Sequence, residues 1–189
     1  MKKKFKDFIK VVLVSSILFA FAPIVTALEY DTGQFQTEMD STVYGTYAVT
    51  HDTYIRGGGY SSDNYGAETD LLIKYTTSLE FARKILLQFD LSSVDFADAT
   101  INKAVLRLYS TGSNSRPITV SELSDDWDES TVTWETASEA GKVITQTQVN
   151  ASSQYFEWDI SSYIYEQLAG DKVISLCIND AEPVFSFSP

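Results

Sequence analysis

The chain has 189 residues, with 26 acidic against 14 basic side chains, a formal charge of −12, 44% hydrophobic and 13% aromatic residues, and one cysteine. That length suits one domain with a sizeable core. The acidic balance argues against nucleic acid or anionic lipid as partner, and a single Cys177 excludes an intrachain disulfide.

The N-terminus is basic, with Lys2, Lys3, Lys4, Lys6 and Lys10 opposed only by Asp7. An apolar run from Val11 to Ala22 follows. It has the length of a signal core and is too short to span a bilayer as a helix, and Pro23 would break such a helix. Val25-Thr26-Ala27 closes the run with small residues at the positions a signal peptidase reads. The pattern predicts a secretory signal peptide over residues 1–27 and a mature chain that begins at Leu28, outside the cell or at its surface. Its removal lowers the basic side chains from 14 to 9 and the acidic ones from 26 to 25, a formal −16. No membrane contact is expected after cleavage, and with no cysteine near Ala27 no lipoprotein anchor is expected either.

Residues 28–45 are polar, show neither helical nor strand periodicity, and read as a linker. From residue 46 onward, short runs rich in Tyr, Thr, Val and Phe alternate with turn clusters. The predicted strands are Tyr47–Thr50, Thr53–Arg56, Leu71–Tyr75, Lys84–Phe89, Lys103–Ser110, Ile118–Leu123, Val132–Trp134, Gln154–Trp158, Lys172–Ile178 and Val184–Phe187. Turns are expected at Gly57-Gly58-Gly59, Ser61-Ser62-Asp63-Asn64, Thr111-Gly112-Ser113-Asn114 and Ser152-Ser153. Many short strands at this spacing predict an all-β antiparallel sandwich or barrel over residues 46–189. One short helix is expected where Ile160, Ile164 and Leu168 fall four apart, capped by Ser161 and ended by Gly170 in left-handed geometry.

Alternation assigns faces within strands. Ile85, Leu87 and Phe89 share one face of their strand, opposite Lys84, Leu86 and Gln88. Ala104, Leu106 and Leu108 face in, leaving Lys103, Val105, Arg107 and Tyr109 outward. Cys177, in an apolar strand, reads as buried and not as a nucleophile.

Several motifs, in order, resemble one family. They are Asp52-Thr53-Tyr54-Ile55-Arg56, Asn64-Tyr65-Gly66, Phe89-Asp90-Leu91-Ser92-Ser93 and Lys103-Ala104-Val105-Leu106-Arg107-Leu108-Tyr109. After these come the run from Trp127 to Trp134, Trp158-Asp159-Ile160 and Leu168-Ala169-Gly170-Asp171-Lys172-Val173. Together they resemble the DNRLRE, or disaggregatase-related, domain, also classified as carbohydrate-binding module family ninety-six. The resemblance spans residues 48–187. It implies a jelly-roll β-sandwich of secreted and cell-surface proteins, found beside polysaccharide-degrading domains, with alginate as the associated ligand; related sandwiches often hold calcium. The family continues past Phe185-Ser186-Phe187 into a final strand, whereas this sequence stops at Pro189. The expectation is therefore a last strand missing here and further C-terminal domains, with the chain as the leading piece of a longer product, such as the accessory module of a polysaccharide-degrading enzyme.

The site candidates follow from side-chain chemistry. Trp127, Trp134 and Trp158 read as core rings, the first two closing one end of the sandwich, in preference to sugar platforms. Asp125, Asp126, Asp128 and Glu129 crowd one turn and read as a solvated loop or cation site, since glycoside hydrolysis needs two carboxylates across a cleft. The only histidine, His51, has no orienting partner in the pattern, and no catalytic motif is present. Asp52, Asp63 and Asn64, beside three glycines, offer the oxygen ligands that calcium takes, with a plain Asx-rich turn as the alternative.

Seven of the nine mature cations (Arg56, Lys74, Arg83, Lys84, Lys103, Arg107 and Arg116) fall in one third of the chain. An outward stripe of Lys74, Lys84, Arg107 and Tyr109 is the expected carbohydrate site for a uronate-containing polysaccharide, with the loops around Tyr60 and Tyr65 as the next location and solvated strand faces as the alternative. The overall expectation is a secreted non-catalytic carbohydrate-binding module, set against a structural or adhesion module without sugar binding, and against a lyase or hydrolase.

Overall fold

The computed structural model describes residues 9–22, 43–74, 76, 78–94, 100–112, 115–150 and 153–180. Two antiparallel sheets stack on one another. Sheet A runs in the order β2 (Val43–Ala48), β1 (Ile9–Ala22), β6 (Thr100–Ser110) and β9 (Gln154–Asp159), and β4 (Leu71–Ile73) also pairs with β1. Sheet B runs in the order β3 (His51–Arg56), β5 (Arg83–Asp90), β10 (Val173–Asp180), β7 (Arg116–Glu122) and β8 (Val143–Val149). From β5 the chain crosses to β6, back to β7 and β8, over to β9 and back to β10, so consecutive strands are shared between the layers. This is the all-β sandwich that the spacing of short strands predicts.

The core between the sheets follows the alternation. Ile85, Leu87 and Phe89 of β5 meet Ala104, Leu106 and Leu108 of β6, with Ile174, Leu176 and Ile178 of β10, all nearly inaccessible. Trp158 is 2% exposed and its indole N–H donates to the Ile118 carbonyl at 3.0 Å, which satisfies the one polar atom this ring brings into the interior. The helix α1 (Ser161–Leu168) lays Tyr163 and Ile164 on the same core.

Four local expectations differ from the structure. The linker ends earlier than residue 45, because β2 starts at Val43 and pairs with β1; most of the linker, the cleavage motif and Val184–Phe187 lie outside the described residues. Val132–Trp134 is a turn segment, and Val143–Val149 is a strand at the edge of sheet B. Ser161 does not cap α1. Asp159 accepts from its N–H and its hydroxyl, at 3.0 and 2.6 Å, and Ser161 Oγ also takes the Ala104 N–H at 3.0 Å. Past the helix, the left-handed residue is Lys172 (φ 65°), not Gly170.

The apolar segment expected as an export leader forms β1, antiparallel to both β2 and β6. A run of that composition also suits a strand with neighbours on both sides. Export would remove this strand, so on the leader reading β2, β4 and β6 each lose a neighbour.

Candidate functional site

The outer face of sheet B is covered. Ile55 of β3, Leu86 of β5 and Cys177 of β10 point away from the main core and are buried under the segment 124–141 with Leu123 and Val132. Trp127 and Trp134 pack on this second cluster. They are structural rings as expected, but they cover a face and do not plug an end. Burial pushes the Cys177 thiol up to about 11, which leaves it protonated and unreactive.

The motif Asn64-Tyr65-Gly66 fastens this cover. The Asn64 side-chain amide donates to the carbonyls of Glu129 and Val132, both at 2.8 Å, and its oxygen accepts from the Gly66 N–H at 3.1 Å. Tyr65 stacks on Tyr54 with ring centroids 4.5 Å apart. A Cβ on Gly66 would sit 2.0 Å from the Glu129 carbonyl oxygen, so only glycine lets the two segments approach.

The residues expected to hold calcium divide their tasks. Asn64 is engaged in fastening the cover. Asp63 is exposed on its turn, its N–H donating to the Tyr60 carbonyl at 3.2 Å. Asp52 is half-buried, and burial first, then the Glu129 charge, raises its carboxyl above the usual range. Glu129, not Asp63, is thus the carboxylate that Asp52 feels. Among the described residues no group of three or more His, Cys, Asp or Glu side chains converges as for a metal ion.

The acidic turn lines an open cavity of about 360 Å³ with Asp125, Asp126, Asp128, Trp127 and Thr136. Ser130, through its hydroxyl and its N–H, holds the Asp128 carboxyl below the usual range. A glycosidic general acid needs the opposite shift. His51 has its Nδ1 3.1 Å from the Gln88 amide oxygen and meets Trp127 edge-on, a packing role.

The four residues of the expected stripe do not form one surface. Lys84 is on the outer face of sheet B with its ammonium 5.0 Å from the Trp134 ring centre. Arg107 and Tyr109 are on the outer face of sheet A. Lys74 follows β4 and bridges to Arg83 at the start of β5. Alternation assigns the face within each strand correctly, but Lys84 and Arg107 belong to opposite layers.

Two constellations result. At the strand ends, Arg56 of β3 lies directly across from Arg83, and Arg83 lies across from Lys74, so three cations stand in one row. Two short 3-10 turns, Gly58–Tyr60 and Leu79–Phe81, flank the row. Gly58 has φ +70°, and a Cβ there would meet Glu80 Cα at 2.2 Å, so this one glycine of the run permits the close contact of the two turns. The Arg56 guanidinium covers the Tyr60 ring at 3.3 Å, and the Lys74 ammonium is 5.6 Å from the Phe81 ring centre. Tyr60 and Phe81 are 42% and 43% exposed, so both rings are open to a ligand. Arg56 Nε is buried without a hydrogen-bond partner. Arg83 donates to the Phe81 carbonyl at 3.1 Å, and its burial, then the Arg56 charge, lowers its pKa. Among the described residues neither Arg56 nor Lys74 has a carboxylate within ion-pair distance.

On the outer face of sheet A, Arg107 pairs across strands with Glu157, and Tyr109 with Tyr155. Arg107 Nε is 3.6 Å from Glu157 Oε1, and the guanidinium lies 4.0 Å from the Tyr155 ring centre. Tyr109 meets Tyr155 edge-on at 5.0 Å. Sequence reading placed Arg107, Tyr109 and Lys74 in the stripe, counted Arg56 among the clustered cations and kept the loops around Tyr60 and Tyr65 as the next location, but did not single out Phe81 or Tyr155. Grouping these needs the cross-strand register, which no single strand carries.

A β-sandwich with exposed aromatic rings beside cations, and a second apolar cluster fastened by an Asn-Tyr-Gly turn, has the form of a binding module. The family model for carbohydrate-binding module family 96 matches residues 43–184, and the chain belongs to that family. Comparison with curated proteins finds no match to the chain. No helix among the described residues is long and apolar enough to cross a membrane.

Proposed function

We propose that this module is secreted and binds an anionic, uronate-containing polysaccharide without cleaving it, through Arg56, Lys74, Tyr60 and Phe81. Alginate is the first candidate, on the strength of the family resemblance. The observation that carries the reading is Arg56 and Lys74 beside the exposed Tyr60 and Phe81 rings, with no carboxylate within ion-pair distance of either cation among the described residues. An incoming carboxylate meets two cations at one end of the sheet. Arginine takes it through two parallel N–H donors, and lysine adds a point charge. The exposed Tyr60 and Phe81 rings offer flat faces to the C–H side of a sugar ring.

Affinity electrophoresis through gels containing alginate, a neutral glucan or no polysaccharide tests this. Retardation in alginate without reducing-end product, weakened by salt, is the expected result. Equal mobility in all gels favours a structural or adhesion module, and release of product indicates an enzyme.

A further inference from the structure

We propose that the outer face of sheet A is a second carbohydrate site, built from Arg107, Tyr109, Tyr155 and Glu157 and selective for uncharged sugar rings. Its chemistry differs from that of the strand-end row in one decisive respect, its charge balance. Arg107 is faced by Glu157 at 3.6 Å, both exposed. Lys103, on the same face, acts on Asp159. An anionic ring arriving at Arg107 therefore meets Glu157 at the same place, and the attraction and repulsion largely cancel. A neutral ring meets no such conflict. Its hydroxyls can accept from the guanidinium and donate to the carboxylate, well-placed polar groups that orient a ligand beside the two tyrosine rings.

The geometry suits a sugar face. Arg107 with Glu157 and Tyr109 with Tyr155 are cross-strand pairs two residues apart, about 7 Å along the strands. Tyr155 is 37% exposed, and its ring is held by the guanidinium over one face and by a T-shaped contact with Tyr109. A ring fixed by its neighbours loses little freedom when a ligand docks. The Nε–Oε1 separation of 3.6 Å exceeds hydrogen-bond length, so donor and acceptor are both free to turn to a ligand.

Titration of neutral hexaoses (cello-, xylo- and mannohexaose) and of an oligouronate, followed by NMR shifts of the Arg107 side-chain N–H and by calorimetry, tests the site. At least one neutral hexaose should bind with an affinity unchanged between low and high salt. Tyr155→Ala should weaken it about fivefold or more, whereas Arg56→Ala leaves it intact. Glu157→Gln should weaken the neutral ligand and give the oligouronate a new, salt-sensitive effect on the Arg107 signal. Failure of all neutral hexaoses to bind, or binding lost in Arg56→Ala and kept in Tyr155→Ala, overturns the proposal. Neither result touches the strand-end row, whose own failure shows as an oligouronate that does not bind or that ignores Arg56→Ala.

Discussion

On the outer face of sheet B, Leu86 and Cys177 lie buried beneath the segment 124–141, with Trp127 and Trp134 packed on them. On the outer face of sheet A, Arg107, Tyr155 and Glu157 stand in solvent. Both faces come from the same two-residue alternation, so alternation alone does not say which outward residues will be covered. The difference teaches where function can reside. In this sandwich Trp127 and Trp134 line the inside of a cover, and the proposed ligand surfaces fall to tyrosine, phenylalanine and the cations.

Substitutions can break or sharpen that contrast. Leu86→Ala should have the largest effect, about 2–5 kcal/mol of unfolding free energy, because it leaves a cavity under the cover. Arg107→Ala on the other face should stay within about 0.5 kcal/mol, since its ion pair is exposed. Urea midpoints measure both, and equal losses would erase the distinction between the faces. Asn64→Ala should come next, at about 1–3 kcal/mol, since two carbonyls of the cover lose their donor. It should also raise the accessibility of Trp127 and Trp134 to a fluorescence quencher, and unchanged quenching would mean that the cover is held elsewhere.

Asp52→Asn should have a smaller effect of opposite sign. The Asp52 carboxyl titrates higher in the folded chain than in the unfolded one. The folded state carries no penalty from it below the unfolded value and the full penalty above the folded one, so the variant should be the more stable protein at neutral pH and lose that advantage in acid. Equal melting at both pH values would contradict it. If the loop of Asp52, Asp63 and Asn64 takes calcium, the metal should raise the melting temperature of the wild type, and Asp63→Ala should abolish the shift. A melting curve indifferent to chelator would remove calcium from the account.

The strands β2 to β7, β9 and β10, the inward residues of β5 and β6 and the burial of Trp158 and Cys177 were legible in the sequence. They rest on local periodicity and apolar content. Val143–Val149 was not, because this edge strand buries only Val149 fully and shows a polar, Thr- and Gln-rich surface. The start of α1 was misjudged, since the N-cap position is Ile160, which makes no side-chain cap, while Asp159 accepts from Ser161. The site was half legible. Clustering of cations in one third of the chain is visible in the sequence, but grouping Arg56 with Lys74 and separating Lys84 from Arg107 depend on strand order and register. A one-strand pattern fixes a face and leaves both open.

Calorimetric titration of an oligouronate into wild type, Arg56→Ala and Arg107→Ala at low and high salt tests the central claim most directly. If the strand-end row is the anionic site, Arg56→Ala weakens binding about fivefold or more at low salt and flattens the salt dependence, whereas Arg107→Ala matches wild type. Unchanged affinity in Arg56→Ala, with the loss appearing in Arg107→Ala instead, would contradict the assignment.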